Sequence, residues 1–544
     1  MREGCPMSLQ MNWNTEIPTD TARVGHEILA EDDPYRVVGD GVNGFLSLRD
    51  FADLYSQLGR GAICPIVLSL ITVFQFLENI PDRVAARWVV TRMDWKYALH
   101  LPLTWLGFDF SDLSNFRKRL LEHQAERLVF EKVLEWVRSL GFLKKYGKQR
   151  SDSTHILGCV ERLSRLELVW ETLRVVLCAM QGVAPEWYKE VIPAAFHEAY
   201  VKRQSDWRLS QEEVHTEMQK VGSDGFWLLD HLNDSTPQSI LGLAEVGTLR
   251  TVWDQQFERP RDTQKVRVRP PSGRGKGKHL VVTPHDPDAR WSEKRGNDWV
   301  GYKLQVTETA EENVTTQFIT DVDTVAATTH DSEVVDAIQE RLIAHALKPQ
   351  EQYVDQGYPS GPNLAHSAAR GIELIGPVGN DTAGKPDGYR QSDFTLDFET
   401  PQATCPEGKT SVAWYARPQP DGYVGAEIQF KARCDGCPVR AQCAPGKSGR
   451  TLGINPYHEI LNQRRIEQET EDFKERMRHR PAIEGTISEL TRAHGARRAR
   501  YRGQDKVRLQ MLFTGAAANL KRLARASAAQ KQATAQTMAG CRTG

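Results

Sequence analysis

The sequence predicts a mixed α/β protein, a strand-and-helix core preceded by an all-helical segment. Three observations carry that expectation. Helix-periodic apolar stretches fill residues 66–140. Between Gln149 and Val378, apart from one long helical block, the order reads strand, strand, strand, helix, strand, helix, strand. Acidic residues stand at or near the ends of those strands. Such alternation is what crossover connections in a sheet require, and chemistry gathers at strand ends in sheets of this kind.

Taken in order, residues 1–50 read as irregular. Residues 51–145 hold PIVLSLITVFQFLENI, then PDRVAARWVV with Asp82 near a proline start, then SDLSNFRKRLLEH with Ser111 or Ser114 as cap. Short helices with basic openings suit a helix-turn-helix-like bundle. After Gly147 the texture changes. QRSDSTHILGCV is a strand, and a helical insertion follows at about 160–255. WVGYKLQVTET and TTQFITDVDTVAA are β-branched runs; SEVVDAIQERLIAHAL is a helix capped by Ser332; EQYVDQGY, LAHSAARG and IELIGPV complete the first part of the core, 146–380. Residues 381–455 form a cysteine-rich insertion in which SVAWYARP and AEIQFKARC fit a small β-ribbon. Residues 456–525 return to the core, and 526–544 read as a disordered tail.

Charge is balanced in total and uneven in place. Seventy Lys+Arg meet 71 Asp+Glu, yet residues 490–544 hold twelve Lys/Arg against the single acid Asp505. A second basic stretch, ERPRDTQKVRVRPPSGRGKGKH, is a loop by its prolines and glycines. Basic blocks of this kind suit a polyanion tracked along its backbone, with Arg267, Arg269, Lys276 and Lys278 as contacts in the loop and Arg492, Arg497, Arg498, Arg500 and Arg502 in the tail. The longest apolar run, Cys64 to Leu77, is fourteen residues and is broken by Ser69, Thr72 and Gln75. It is too short to span a bilayer, and no apolar signal segment opens the chain, so a cytoplasmic location is expected.

Five of the nine cysteines are isolated; Cys405, Cys434, Cys437 and Cys443 cluster, with a Cys-x2-Cys knuckle whose turn is Asp435-Gly436. Four soft ligands on tight turns point to one structural Zn²⁺, with reduced free thiols as the alternative. Three acids form a second candidate constellation. Asp152 lies in the first strand between Ser151 and Ser153, Asp355 ends EQYV, and Glu484 lies where Pro481 should open a helix in HRPAIEGTISEL. Converging through the fold, they would offer hard oxygens to a pair of divalent ions for in-line attack on a phosphodiester. Asp321 and Asp323 compete with Asp355; Asp286 and Asp288 either line the site or hold a turn. His155, three residues past Asp152, falls on the opposite face of the strand.

QRSDSTHILGCVERLSRLELV, the Asp-x-Gly-Tyr of VDQGY, and RHRPAIEGTISELTRAHGARRARYRG resemble bacterial insertion-sequence transposases of the DDE class. The resemblance is to the subgroup with a helical N-terminal domain and a cysteine-bearing insertion before the final acid. It spans roughly Phe51 to Arg525. It implies an RNase H-like core with Asp152, Asp355 and Glu484 as catalytic, metal-binding acids for two Mg²⁺ or Mn²⁺ ions. It also implies Arg480 as a phosphate clamp, and an N-terminal domain that reads the element ends. Relatives surround the last acid with Tyr-x2-Arg-x3-Glu-x6-Lys; here Arg480 and Glu484 match, but Met477 and Thr491 stand at the Tyr and Lys positions. The implied function is metal-dependent cleavage and strand transfer on double-stranded DNA, by a homo-oligomer associated with the nucleoid. The alternatives are a retired, DNA-binding descendant and a stand-alone nuclease of the same fold.

Overall fold

The computed structural model describes residues 7–9, 13–56, 59–202, 209–260, 265–273, 277–381, 388–420, 422–444 and 446–540. Helices begin well before residue 51. Helix α1 is Thr19–Ile28 and α2 is Pro34–Gly41, the latter capped by Asp33, whose carboxylate accepts from the backbone N–H groups of Tyr35 and Arg36. Asp-Pro before an apolar pair is a helix-opening signal, and it replaces the irregular segment expected at 1–50. Helix α3 (Pro65–Leu77) is mostly apolar and almost wholly buried, its few polar residues Ser69, Thr72 and Gln75 included. Around it lie α4 (Asp82–Thr91), α5 (Met93–Ala98), α6 (Ser111–Glu122) and α7 (Leu128–Ser139). A helix without an exposed polar face must sit in a core, and α3 is that core's centre.

Strand β1 (Lys148–Leu157) opens the sheet. The helical insertion follows, its long members α8 (Arg165–Val183), α9 (Gln211–His231) and α10 (Ala244–Gln256). Ser164 with Glu167 and Ser210 with Glu213 form capping boxes that start α8 and α9. The chain returns through β2 (Arg290–Lys294), β3 (Asn297–Thr309), β4 (Ile319–Ala326), α11 (Val335–Ala344), β5 (Glu351–Tyr353), α12 (Gly361–Ala369) and β6 (Glu373–Ile375). Ser332 is not the cap of α11: a 3₁₀ turn intervenes, and the His330 ring accepts from the Ser332 N–H.

The sheet runs β6-β5-β1-β3, with β4 and β2 both paired to β3. Strands β6, β5 and β1 are mutually parallel; β3 is antiparallel to β1, β4 and β2. Of these six strands, the five other than short β2 run β6-β5-β1-β3-β4 with the first strand in the middle, the RNase H-like arrangement. The sequence placed β1, β3, β4, β5 and β6 in order but missed the short β2.

A three-stranded antiparallel ribbon, β7 (Ala413–Pro418), β8 (Val424–Gln429) and β9 (Thr451–Ile454), carries the cysteines. Then come α13 (His458–Glu467), α14 (Glu471–Met477), α15 (Ile483–Arg492) and α16 (Gln504–Gly540). The last corrects the expectation of a disordered tail from 526, since helix continues to Gly540. Residues Met511–Leu520 of α16 are all buried. A methyl group on Gly515 would lie 2.9 Å from Val322 of β4 and 3.1 Å from Phe130 of α7, so the helix passes between the sheet and the N-terminal bundle at close approach. Asn519 seals that passage: its amide accepts from the Ile319 N–H at 2.9 Å and donates to the Ile319 carbonyl at 2.8 Å.

One apolar cluster therefore runs from Tyr35 through the sheet to Ala526. The insertion has its own cluster, from Leu166 to Val281, and the ribbon a third around Phe394, Ile428 and Phe430. Among the described residues, no helix is long and apolar enough to cross a membrane.

Candidate active site

Parallel pairing of β1 with β5 sets Lys148 against Glu351, Gln149 against Gln352 and Arg150 against Tyr353. Continued two residues further, the same register aligns Asp152 with Asp355. Asp152 is held inside the long central strand, opposite Val306 of β3, whereas Asp355 lies just past the end of short β5. There the chain turns: the Asp355 carboxylate accepts from the Gly357 N–H at 2.8 Å, and the Tyr358 N–H returns to the Asp355 carbonyl. Glu484 sits in the first turn of α15, which packs across β1.

Arg480 gathers the three acids. Its guanidinium stands 2.7 Å from Asp152 Oδ2, 3.7 Å from Asp355 Oδ2 and 3.1 Å from Glu484 Oε1. The Asp152 side chain is 11% exposed and that of Glu484 67%, so the cluster opens from the sheet toward solvent. Burial pushes the Asp152 carboxyl up to about 6, with Arg480 pulling against that rise. Asp331 closes the rear. A methyl group on Gly357 would lie 3.1 Å from Asp355 Oδ1 and 3.4 Å from Asp331 Oδ2, which accounts for glycine in Asp-x-Gly-Tyr by close approach. Tyr358, wholly buried beneath, donates to Gln305 Oε1 at 2.5 Å, and Gln305 in turn donates to Asp331 at 2.9 Å.

The competing acids are spent elsewhere. Asp321 is buried between Arg127 and Arg341, each at 2.7 Å, and Asp323 pairs with Arg341 and Arg508. Asp286 accepts from Tyr302 at 2.6 Å and from the Gly503 N–H, while Asp288 accepts from the Gln504 N–H at the start of α16. They are helix-opening caps, the turn role. His155 packs against Trp299 with the rings tilted and their centres 5.2 Å apart.

Several basic residues expected to meet phosphate have internal partners. Arg497 donates to Thr154 Oγ1 and the His155 carbonyl, binding its loop to β1. Arg500 donates to the Ile80 carbonyl and Asn79 and lies over the Phe76 ring, joining that loop to the N-terminal bundle. Arg269 donates to the Asp254 and Phe257 carbonyls. Lys278 pairs with Glu333 at 3.5 Å. Arg492, Arg498, Arg502 and Arg267 are exposed. Lys276 lies outside the described residues. In α6, Arg117 is buried against Asp82 and Arg119 lies over the Tyr55 ring, so the basic opening of that helix is largely turned inward.

Sequence reasoning missed a buried ionic network under α15. Glu308 of β3 is fully buried with Arg150 and Arg522, and Glu489 of α15 pairs with Arg522 at 2.9 Å and Lys521 at 3.2 Å. Its one sequence signal is Arg150, a charge inside a strand two residues before Asp152. Met477, at the Tyr position of the family pattern, packs with Tyr353, Ile375 and Phe473.

In the ribbon, Cys405, Cys434, Cys437 and Cys443 line one cavity of about 20 Å³ beside Phe394, Phe430 and Arg450. Backbone N–H groups point at two of the sulfurs: Lys409 to Cys405 Sγ and Arg450 to Cys434 Sγ, both at 3.3 Å. Gly436, in the left-handed region at φ +65°, makes the knuckle turn. As the side chains stand, no group of three or more His, Cys, Asp or Glu among the described residues is set to hold a metal ion. At the acids, Arg480 supplies the positive charge instead.

Two protein-family models match the chain: a transposase DDE domain over residues 404–524, which includes Arg480, Glu484 and the four cysteines, and a transposase domain (DUF772) over residues 23–119. The second starts inside the segment read as irregular and ends in α6. No curated protein and no solved structure matches. A transposase domain matched at either end and an RNase H-like sheet between them support an insertion-sequence DDE transposase.

Proposed function

We propose that this transposase cuts DNA at the ends of its element and joins the freed 3′ ends to target DNA, using Asp152, Asp355 and Glu484 to hold divalent cations, Mg²⁺ or Mn²⁺. One observation carries the reading: a single guanidinium, Arg480, lies within 3.7 Å of carboxylates from a strand, a strand end and a helix that are far apart in the chain. Hard oxygens that share one cation in this way fit a divalent ion by donor chemistry. Bound there, the ions supply activation of the attacking oxygen and stabilisation of the leaving one. Asp152 and Asp355 fix the base of the site through strand register. Glu484, the most exposed of the three, closes it from α15. Arg480 balances the acids and, as cations enter, is free to swing its planar fork to a phosphate oxygen. Arg492, Arg498, Arg502 and Arg267 lie on the surface as backbone contacts, the N-terminal bundle reads the terminal repeats, and two copies act on two ends.

Replacing Asp152, Asp355 or Glu484 with Ala should abolish Mg²⁺-dependent cleavage of DNA carrying the cognate ends while leaving end binding intact; a single mutant that still cuts removes that residue from the set. Joined product separates a transposase from a nuclease that only cuts. Binding without cleavage by the wild type marks a retired protein.

The same reading assigns structural Zn²⁺ to the four cysteines. Four thiols around one small cavity, two of them receiving backbone N–H groups, fit the tetrahedral preference of zinc. Purified protein should carry about one zinc per chain by atomic emission, lost on Cys437→Ser together with ordered structure in the ribbon. A metal-free preparation with unchanged folding overturns it.

A further inference from the structure

Glu308 lies in the interior and touches none of the three acids, yet it is tied to the strand that presents Asp152 and the helix that presents Glu484. On β1, Arg150 lies two residues before Asp152 and shares its face of the sheet. Arg150 pairs across to Glu308 in register, its Nε 2.7 Å from Glu308 Oε1, and donates from Nη1 to the His479 carbonyl at 2.9 Å, directly ahead of Arg480. The other oxygen of Glu308 accepts from Thr486 Oγ1, two residues past Glu484 on the buried side of α15, and from Arg522 Nη1 at 3.1 Å. Arg522, from α16, donates also to Thr486 Oγ1 at 2.7 Å and to Glu489 at 2.9 Å. One carboxylate is thus bound to the Asp152 strand and the helix that delivers Glu484, and through Arg150 it is linked to the loop that delivers Arg480.

We infer that Glu308, with Arg150 and Arg522, is a positioning network that sets Glu484 and Arg480 against Asp152. Docking α15 alone needs no charge. Apolar side chains in the same row would bury more cheaply, because a desolvated ion pair returns little net stability. What directional bonds add is registration. Thr486 and Glu489 lie on α15 at an (i, i+3) spacing and are gripped by one guanidinium, which fixes the rotation of the helix about its axis as well as its distance from the sheet. Rotation of α15 is what moves Glu484, an outward-facing residue in its first turn. Partners of this kind behind metal-binding residues change metal affinity by about 10- to 100-fold when removed.

This inference rests on the assignment of the three acids, and its test keeps the two apart. The full chain is titrated with Mn²⁺ alone, and free ion is read from its electron paramagnetic resonance signal. Wild type, Asp152→Asn, Glu308→Gln and Thr486→Val are compared, each checked by its melting curve. Asp152→Asn tests the acids only: unchanged Mn²⁺ affinity there overturns both the assignment and the inference. If Asp152→Asn loses Mn²⁺, the expected result is that Glu308→Gln and Thr486→Val weaken it at least about 10-fold, with the bound-ion spectrum altered in line shape. Wild-type affinity in both variants overturns the positioning role and leaves the assignment standing. Should Glu308→Gln fail to fold, Thr486→Val decides alone, since it keeps every charge and nearly the same volume. A structural role would lower the melting temperature of that variant without moving its Mn²⁺ affinity.

Discussion

Tyr358 is fully buried and its hydroxyl has one strong partner, Gln305, which is itself committed to Asp331. Phenylalanine in its place leaves the Gln305 oxygen without a donor in the interior. Tyr358→Phe should therefore cost about 1–3 kcal/mol, read from urea unfolding, with the aromatic packing intact. Charge behaves differently at Glu489. Burial alone would raise its carboxyl, but His494, Arg522 and Lys521 outweigh that and hold it well below the usual carboxylate range. Because the folded value is depressed, the stabilisation is present above the unfolded value of about 4.5 and is lost as pH falls below it. Wild type should lose stability more steeply than Glu489→Gln between about pH 5 and 3, and parallel acid melts of the two check this. These residues illustrate what the chain hid at this scale. Asp152, Asp355 and Glu484 could be named from strand ends, a proline and a resemblance, whereas Glu308, Arg522 and Asp331 carry no local signal. Their partners lie far away in sequence, and one acid among 71 is not marked until the fold brings its cations to it.

Elements with a strong period were readable: β3, β4 and α11 fall where β-branched runs and helical spacing put them. Two failures share a cause. Helices α1 and α2 were passed over because their apolar content is low, although Asp33 and Pro34 mark an opening. Helix α16 runs through a boundary the sequence puts at 525, between a basic end of the core and a disordered tail. In the fold Arg522 is buried on Glu308 and Glu489, and Ala516, Ala517 and Ala518 let neighbours close around the helix. Alanine has high helix propensity and little apolar weight, so composition understates how deeply such a helix can lie. Asn519 tests its depth. Asn519→Ala removes both bonds to the Ile319 backbone and orphans a buried N–H and C=O. The expected loss is about 2 kcal/mol or more, measured by chemical denaturation.

Across the whole molecule, three apolar clusters divide the chain differently from the sequence. The N-terminal bundle and the RNase H-like sheet were expected as separate domains at residue 145, yet they share one core with α16. The α8–α10 insertion has its own core. Calorimetry should accordingly resolve the insertion as a transition distinct from the rest, while bundle and sheet melt together. A core substitution in α3 such as Phe74→Ala, expected to cost about 3–5 kcal/mol, should lower the transition of the sheet as well. A bundle that melts by itself would contradict the shared core.

The placement of α16 also governs the order in which this protein can come into being. The bundle leaves the ribosome first and the sheet second, but the helix between them is made last, with most of the chain already outside. Until Met511–Leu520 arrives, Phe130 and Val322 face a groove with nothing in it, and α15 lacks the Arg522 that grips Thr486 and Glu489. Long-range contacts that close last are slow to form and leave apolar surface open in the meantime. A nascent or prematurely ended chain would then carry all three acids without the scaffold that aligns them. The three acids come into register only as translation reaches its final stretch.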